Sequence, residues 1–180
     1  RWIPIASLRG IDAEDINTAS SPVAFRIEQD AGTFEFRGAF QDGGGTGSFR
    51  FRPNRRFVAT LRSLGLEGDA SDHQLKNLAW GGVGAAEIRE FRTANVAPLT
   101  LRGVIDMAIF RVEPEYAREL AALGYRGIST AQLIDLWRAK VTPDFIRSVR
   151  DSGAGPATPE SLIRLSQRAR ASAPRPAKKP

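Results

Sequence analysis

Apolar and polar residues alternate with period two through the first third of the chain. Val23, Phe25 and Ile27 alternate with Ala24, Arg26 and Glu28. Phe34 and Phe36 alternate with Glu35 and Arg37, and Phe40 continues that face beyond Gly38. Phe49 and Phe51 alternate with Arg50 and Arg52. Aromatic and β-branched residues at this period predict half-buried antiparallel strands. Asp30-Ala31-Gly32 predicts one turn and residues 41–47 the next. Residues 2–8 predict a further strand, with Pro4 placing it at an edge. Residues 11–16 predict a single helical turn. The result is a meander of about four strands with one phenylalanine-rich face. The helices that follow are its available cover.

The pattern then changes to helical spacing and repeats. Val83, Val112 and Val141 lie 29 residues apart, as do Ser71, Thr100, Ser129 and Thr158. Gly65, Asn95, Gly124 and Gly153 form a third series, spaced 30, 29 and 29. Residues 112–140 show how one unit works. Pro114 opens a helix where a missing amide costs nothing. Tyr116, Ala117, Leu120 and Leu123 form its apolar stripe. Gly124 stops it, because glycine enters the left-handed conformation cheaply. Ser129, with Gln132 three residues on, opens the second helix as a capping box. Leu133, Ile134, Leu136 and Trp137 form its buried face. The second unit departs by carrying Glu87 where the others have Phe57, Tyr116 and Phe145. The fourth ends in Ser166 and Gln167, read as a polar closing cap.

These patterns predict an α+β fold: a small antiparallel β-sheet followed by an α-helical solenoid of four two-helix repeats of about 29 residues. The expected organisation is a β module at 1–52, the repeats at 53–170 and a disordered basic Pro/Ala tail at 171–180. Four units with two different ends read as a whole array. The chain carries no cysteine, which excludes disulfides and thiol chemistry. It has no apolar run long enough for a membrane-spanning helix. Its start at Arg1 fits a processed secreted chain or a fragment. The expected location is periplasmic or secreted, with the cytoplasm left open. The net charge of +6 is local. Six of the 26 basic residues lie in 161–180 without an acid, leaving 20 bases against 20 acids elsewhere. A nucleic-acid binder carries its basic patch on the folded domain, so nucleic acid is disfavoured; binding of nucleic acid or an anionic surface through the tail is an alternative.

No catalytic, metal or cofactor residue is predicted. Ser71-Asp72-His73 holds the residue types of a hydrolase triad, but successive helical residues diverge by about 100° while a triad converges from separate segments. Asp12, Glu14 and Asp15 read as a solvated turn. Glycines 43–45 and 47 lead into a strand, not the helix that a phosphate loop requires, so residues 42–47 read as a hairpin tip. The candidate partner-binding residues are Arg89, Arg118 and Arg147, at equivalent positions on three successive first helices. Stacked helices would place them about 10 Å apart, a row able to hold an acidic segment. Glu115 and Asp144, three residues before two of them, offer the competing reading of pairs within each helix.

Asp30-Ala31-Gly32-Thr33-Phe34-Glu35-Phe36, then residues 43–51, Arg52-Pro53-Asn54 and Phe57, resemble the strand module of a bacterial group. Val112-Glu113-Pro114-Glu115-Tyr116, Leu123-Gly124-Tyr125 and Val141-Thr142-Pro143-Asp144-Phe145 resemble its helical repeat. That group is the repeat-bearing region of proteins related to antibiotic-sensing, antirepressor-type membrane metallopeptidases and of uncharacterised stand-alone relatives. The similarity covers residues 20–155. It implies a non-catalytic extracytoplasmic or regulatory module. Peptidase activity does not carry over, because the zinc motif His-Glu-x-x-His is absent and His73 is the single histidine. The expected function is therefore non-enzymatic protein binding on a helical-repeat surface, with an unknown protein partner. The alternative is a sensory or regulatory ectodomain associated with a membrane peptidase system.

Overall fold

The computed structural model describes residues 8–12, 14–15, 22–41, 44–153 and 157–172. The fold is α+β: among the described residues, a three-stranded antiparallel sheet is followed by eight helices. The chain forms two compact units, Arg1–Ile88 and Arg89–Pro180.

In the first unit, β1 (Pro22–Gln29), β2 (Gly32–Gln41) and β3 (Gly44–Pro53) pair in the order β1-β2-β3. Phe25 faces Phe36, which faces Phe49; Ile27 faces Phe34, which faces Phe51. The register therefore gathers the predicted apolar positions on one face. Glu35 sits between Arg26 and Arg50 on the other face and pairs with Arg52 at 2.6 Å. The first turn is as predicted, with Asp30 and Ala31 between paired Gln29 and Gly32. The second is shorter than the predicted 41–47. Gln41 already pairs with Gly44, and the ladder runs through Gly45, Thr46 and Gly47. Ladder bonds join backbone to backbone, so glycines carry them as well as other residues do. Gly38 opposes Gly47, and an added Cβ on Gly38 would lie 2.0 Å from the Thr46 carbonyl oxygen. The two strands approach too closely there for any side chain.

The predicted strand at 2–8 lies outside the described residues except for Leu8. Arg9 makes an isolated antiparallel bridge to Arg26, with N–H···O distances of 3.0 and 2.9 Å. The predicted turn at 11–16 is helical at Glu14 and Asp15. Asp12 Oδ1 accepts their amides at 2.8 and 3.0 Å. The helices of this unit are α1 (Phe57–Ser63), α2 (Asp72–Gly81) and the first part of α3 (Ala85–Thr93). Phe34 is buried, with the Trp80 ring of α2 edge-on at 5.2 Å. The cover is partial: Phe49 is 50% exposed and Trp80 54%. The Asp30 carboxylate accepts the Ala85 amide at 2.8 Å and Glu87 accepts that of Gly84 at 2.9 Å. This explains Glu87, the odd residue of the second repeat: it caps a helix that lacks the proline start of the first helices in the third and fourth repeats.

The second unit holds the rest of α3, then α4 (Leu101–Phe110), α5 (Pro114–Ala122), α6 (Thr130–Arg138), α7 (Pro143–Asp151) and α8 (Pro159–Ala171). The second helices α4, α6 and α8 pack in sequence, and α5 packs on α7. Val104, Met107, Leu120, Leu133, Leu136, Ile146 and Leu162 form the core, each fully buried.

The repeat grammar is realised position by position along the chain. Ser71, Thr100, Ser129 and Thr158 are all N-caps, and the first and third complete capping boxes with Gln74 and Gln132. Gly65, Asn95, Gly124 and Gly153 are all left-handed, with φ of 68°, 57°, 90° and 79°. A second left-handed series escapes the sequence reading: Gly82, Arg111 and Lys140, with φ of 66°, 54° and 55°. Each precedes one of the repeating valines. Val83, Val112 and Val141 then donate to Leu78, Met107 and Leu136 carbonyls at 2.9, 2.9 and 3.0 Å. These are Schellman-type closures, so α2, α4 and α6 end by the same device that follows Gly65, Asn95 and Gly124, where Leu66, Val96 and Tyr125 donate to the Leu61, Phe91 and Leu120 carbonyls. Among the described residues no helix is long and apolar enough to cross a membrane. The predicted tail lies outside the described residues from 173 onward.

Candidate functional site

Arg89, Arg118 and Arg147 stand on α3, α5 and α7, and all three are exposed. Arg118 pairs with Glu115 on its own helix and reaches Glu90 on α3 at 3.5 Å. Arg147 pairs with Asp144. Both three-residue spacings therefore place acid against base, and Glu90 adds a contact between successive first helices. Among the described residues Arg89 has no ion pair. The Arg118 and Arg147 side chains remain 46% and 52% exposed. Ion pairs of this kind contribute at most about 0.5 kcal/mol each. A carboxylate from outside can replace them at little cost.

Other cations serve the repeats themselves. Arg150 donates to the Leu123 carbonyl and lies 5.9 Å from the Tyr125 ring. Arg138 lies 5.2 Å from the Phe110 ring. Arg170 and Ser166 both donate to the Ala139 carbonyl, Ser166 at 2.9 Å. Within the polar closing helix α8, Ser166 itself is buried and satisfies a carbonyl left open at the end of α6.

A groove of about 330 Å³ opens beside the third repeat, walled by Tyr116, Trp137, Val141 and Pro143. The Tyr116 and Trp137 rings meet edge to face at 5.1 Å. The Tyr116 hydroxyl donates to the Val141 carbonyl at 2.7 Å, and the Trp137 indole N–H to the Phe110 carbonyl at 3.0 Å. Burial raises the Tyr116 pKa well above the ordinary phenol range, so this donor keeps its proton. Glu113, Glu115, Glu119 and Lys140 line the rim. Sequence reading missed this site because its walls come from residues 21 positions apart, joined only by packing. The available signal was that Trp137 replaces the Ala108 and Ser166 found one period away.

Ser71 spends its hydroxyl on the Gln74 amide at 3.3 Å, Asp72 pairs with Arg55 at 3.0 Å, and His73 is exposed. The three groups do not converge. Among the described residues no group of three or more histidine, aspartate or glutamate side chains is placed to hold a metal ion. Asp42 and Gly43 lie outside the described residues.

No protein-family model matches this chain, and neither does any curated protein or solved structure.

Proposed function

We propose that this chain is a non-enzymatic protein-binding scaffold whose second unit presents Arg89, Arg118 and Arg147 to an acidic segment of a partner. The observation that carries the reading is the state of Arg118 and Arg147. Both are held on successive first helices by exposed, weak ion pairs with Glu90, Glu115 and Asp144. Such pairs orient a guanidinium and yet release it to a competing carboxylate. The packed second helices and the bonds between repeats favour a surface ordered before binding, which lowers the entropy cost of association.

The test is a titration with a labelled ten-residue glutamate-rich peptide, followed by anisotropy. Arg118→Glu with Arg147→Glu is expected to weaken binding by about tenfold or more, with little change in thermal stability. Equal binding by the double variant would remove the arginine row from the function.

The sheet-then-repeat order supports a second reading drawn from the resemblance, a regulatory ectodomain beside a membrane peptidase, periplasmic or secreted. Localising the full-length protein by fractionation separates this reading from a cytoplasmic scaffold.

A further inference from the structure

We propose that the groove of the third repeat docks a basic side chain, arginine or lysine, carried on an extended segment of a partner protein. Its walls are fixed in advance. Tyr116 and Trp137 each spend their polar atom on a backbone carbonyl, of Val141 and Phe110. Tyr116 and Val141 are buried behind the groove, so the half-buried Trp137 ring and Pro143 supply the apolar surface that a ligand meets. An aromatic ring attracts a cation, and the apolar surface beside it suits the methylene stem of a long basic side chain. The rim supplies the charge. Glu115 is engaged by Arg118, but Glu113 and Glu119 have no ion-pair partner among the described residues, against the single cation Lys140. An acidic ligand would be repelled, and a purely apolar one would desolvate both carboxylates without compensation. The whole chain carries +6, so a cation is drawn here by local chemistry and not by the general field.

The repeat provides an internal control. One period before and after, Glu113 is replaced by Gly84 and Thr142, Tyr116 by Glu87 and Phe145, and Trp137 by Ala108 and Ser166. The fold closes its other repeats without this combination, so packing does not require it. This site has the opposite sign to the arginine row and stands whether or not that row binds.

The experiment is a two-dimensional NMR titration of the full chain with acetyl-Gly-Arg-Gly-amide and with its neutral citrulline counterpart. The chain has three tryptophans, and a Trp137→Phe sample identifies the Trp137 indole signal. The expected result is a saturable shift of that signal and of amides in residues 113–119 with the arginine peptide. The citrulline peptide should bind about tenfold more weakly. Glu113→Gln with Glu119→Gln should cancel the shifts at an unchanged melting temperature. Equal shifts with both peptides, or no saturable shift, would overturn the proposal. So would movement of the same signals on deleting residues 173–180 in the absence of peptide, since the chain's own tail would then be the occupant.

Discussion

The hydroxyl of Tyr116 donates to the carbonyl of Val141 at 2.7 Å, joining the first helix of the third repeat to the start of the fourth. The residue that walls the groove is therefore also a tie between neighbouring repeats. Tyr116→Phe keeps the ring and removes the tie, leaving the Val141 carbonyl without this donor. Chemical denaturation is expected to show a loss of about 1–2 kcal/mol. A loss below 0.3 kcal/mol, on the order of measurement error, would mean that water replaces the hydroxyl.

Gly103 lies within α4, where alanine would ordinarily be preferred by about 1 kcal/mol. Here the sign is expected to reverse. An added Cβ would lie 2.5 Å from Thr130 Oγ1 and 2.7 Å from its Cγ2, on the neighbouring second helix α6. Gly103→Ala should cost about 1–3 kcal/mol. Thr130→Ala in the same chain should recover part of that loss. A stabilising Gly103→Ala in calorimetry would show that α4 and α6 are not in close contact.

Arg111 holds φ of 54°, in a region that costs a side chain-bearing residue about 1–2 kcal/mol. Glycine adopts it freely but gains freedom in the unfolded chain. The balance predicts that Arg111→Gly stabilises by about 0.5 kcal/mol. The same substitution at an exposed helical arginine, Arg102, should destabilise. Denaturation midpoints with unchanged slopes would establish both signs.

Glu160 opens α8, and its pKa lies below the ordinary glutamate value, chiefly through its own backbone amide and then through Gln132. Its folded pKa is depressed, so its contribution is present above the unfolded pKa and is lost as pH falls through the folded one. Glu160→Gln should therefore lower the melting temperature slightly at pH 7, where the contribution is present, and flatten its decline below about pH 4.3, where the two proteins converge. Parallel profiles for the two proteins would contradict this role.

Sequence pattern carried the caps and stops because both are short-range chemistry. A serine hydroxyl reaches an amide three residues away, and a glycine frees its own φ, so neither needs the rest of the fold. The left-handed Arg111 and Lys140 were illegible for the complementary reason. Nothing in an arginine or a lysine signals that conformation; the return of the chain at Val112 and Val141 imposes it. Residues 44–47, three of them glycine, read as a loop because their composition argues against a strand, while pairing with β2 decides the matter. The buried bond made by Ser166 was illegible because the carbonyl it serves, at Ala139, is 27 residues away. The Arg118 pair with Glu115 was visible in a spacing of three, but its contact with Glu90, 28 residues earlier, was not. The groove of Tyr116 and Trp137 belongs to the same class of long-range facts.

The opposed glycines of the sheet carry a mechanical consequence. Val23, Gly38 and Gly47 form one row across the three strands, two of its three positions bare. That row is a crease. On one side lie the stacked Phe25 and Phe36, 4.7 Å apart, with Phe49 and Phe34 beyond. On the other, Phe40 stands opposite Gly45 and touches the cluster through Phe25 at 6.4 Å. Ring contacts brace the strands on the Trp80 side of the crease, while at the crease itself only the backbone ladder joins β2 to β3, with no side chain between them.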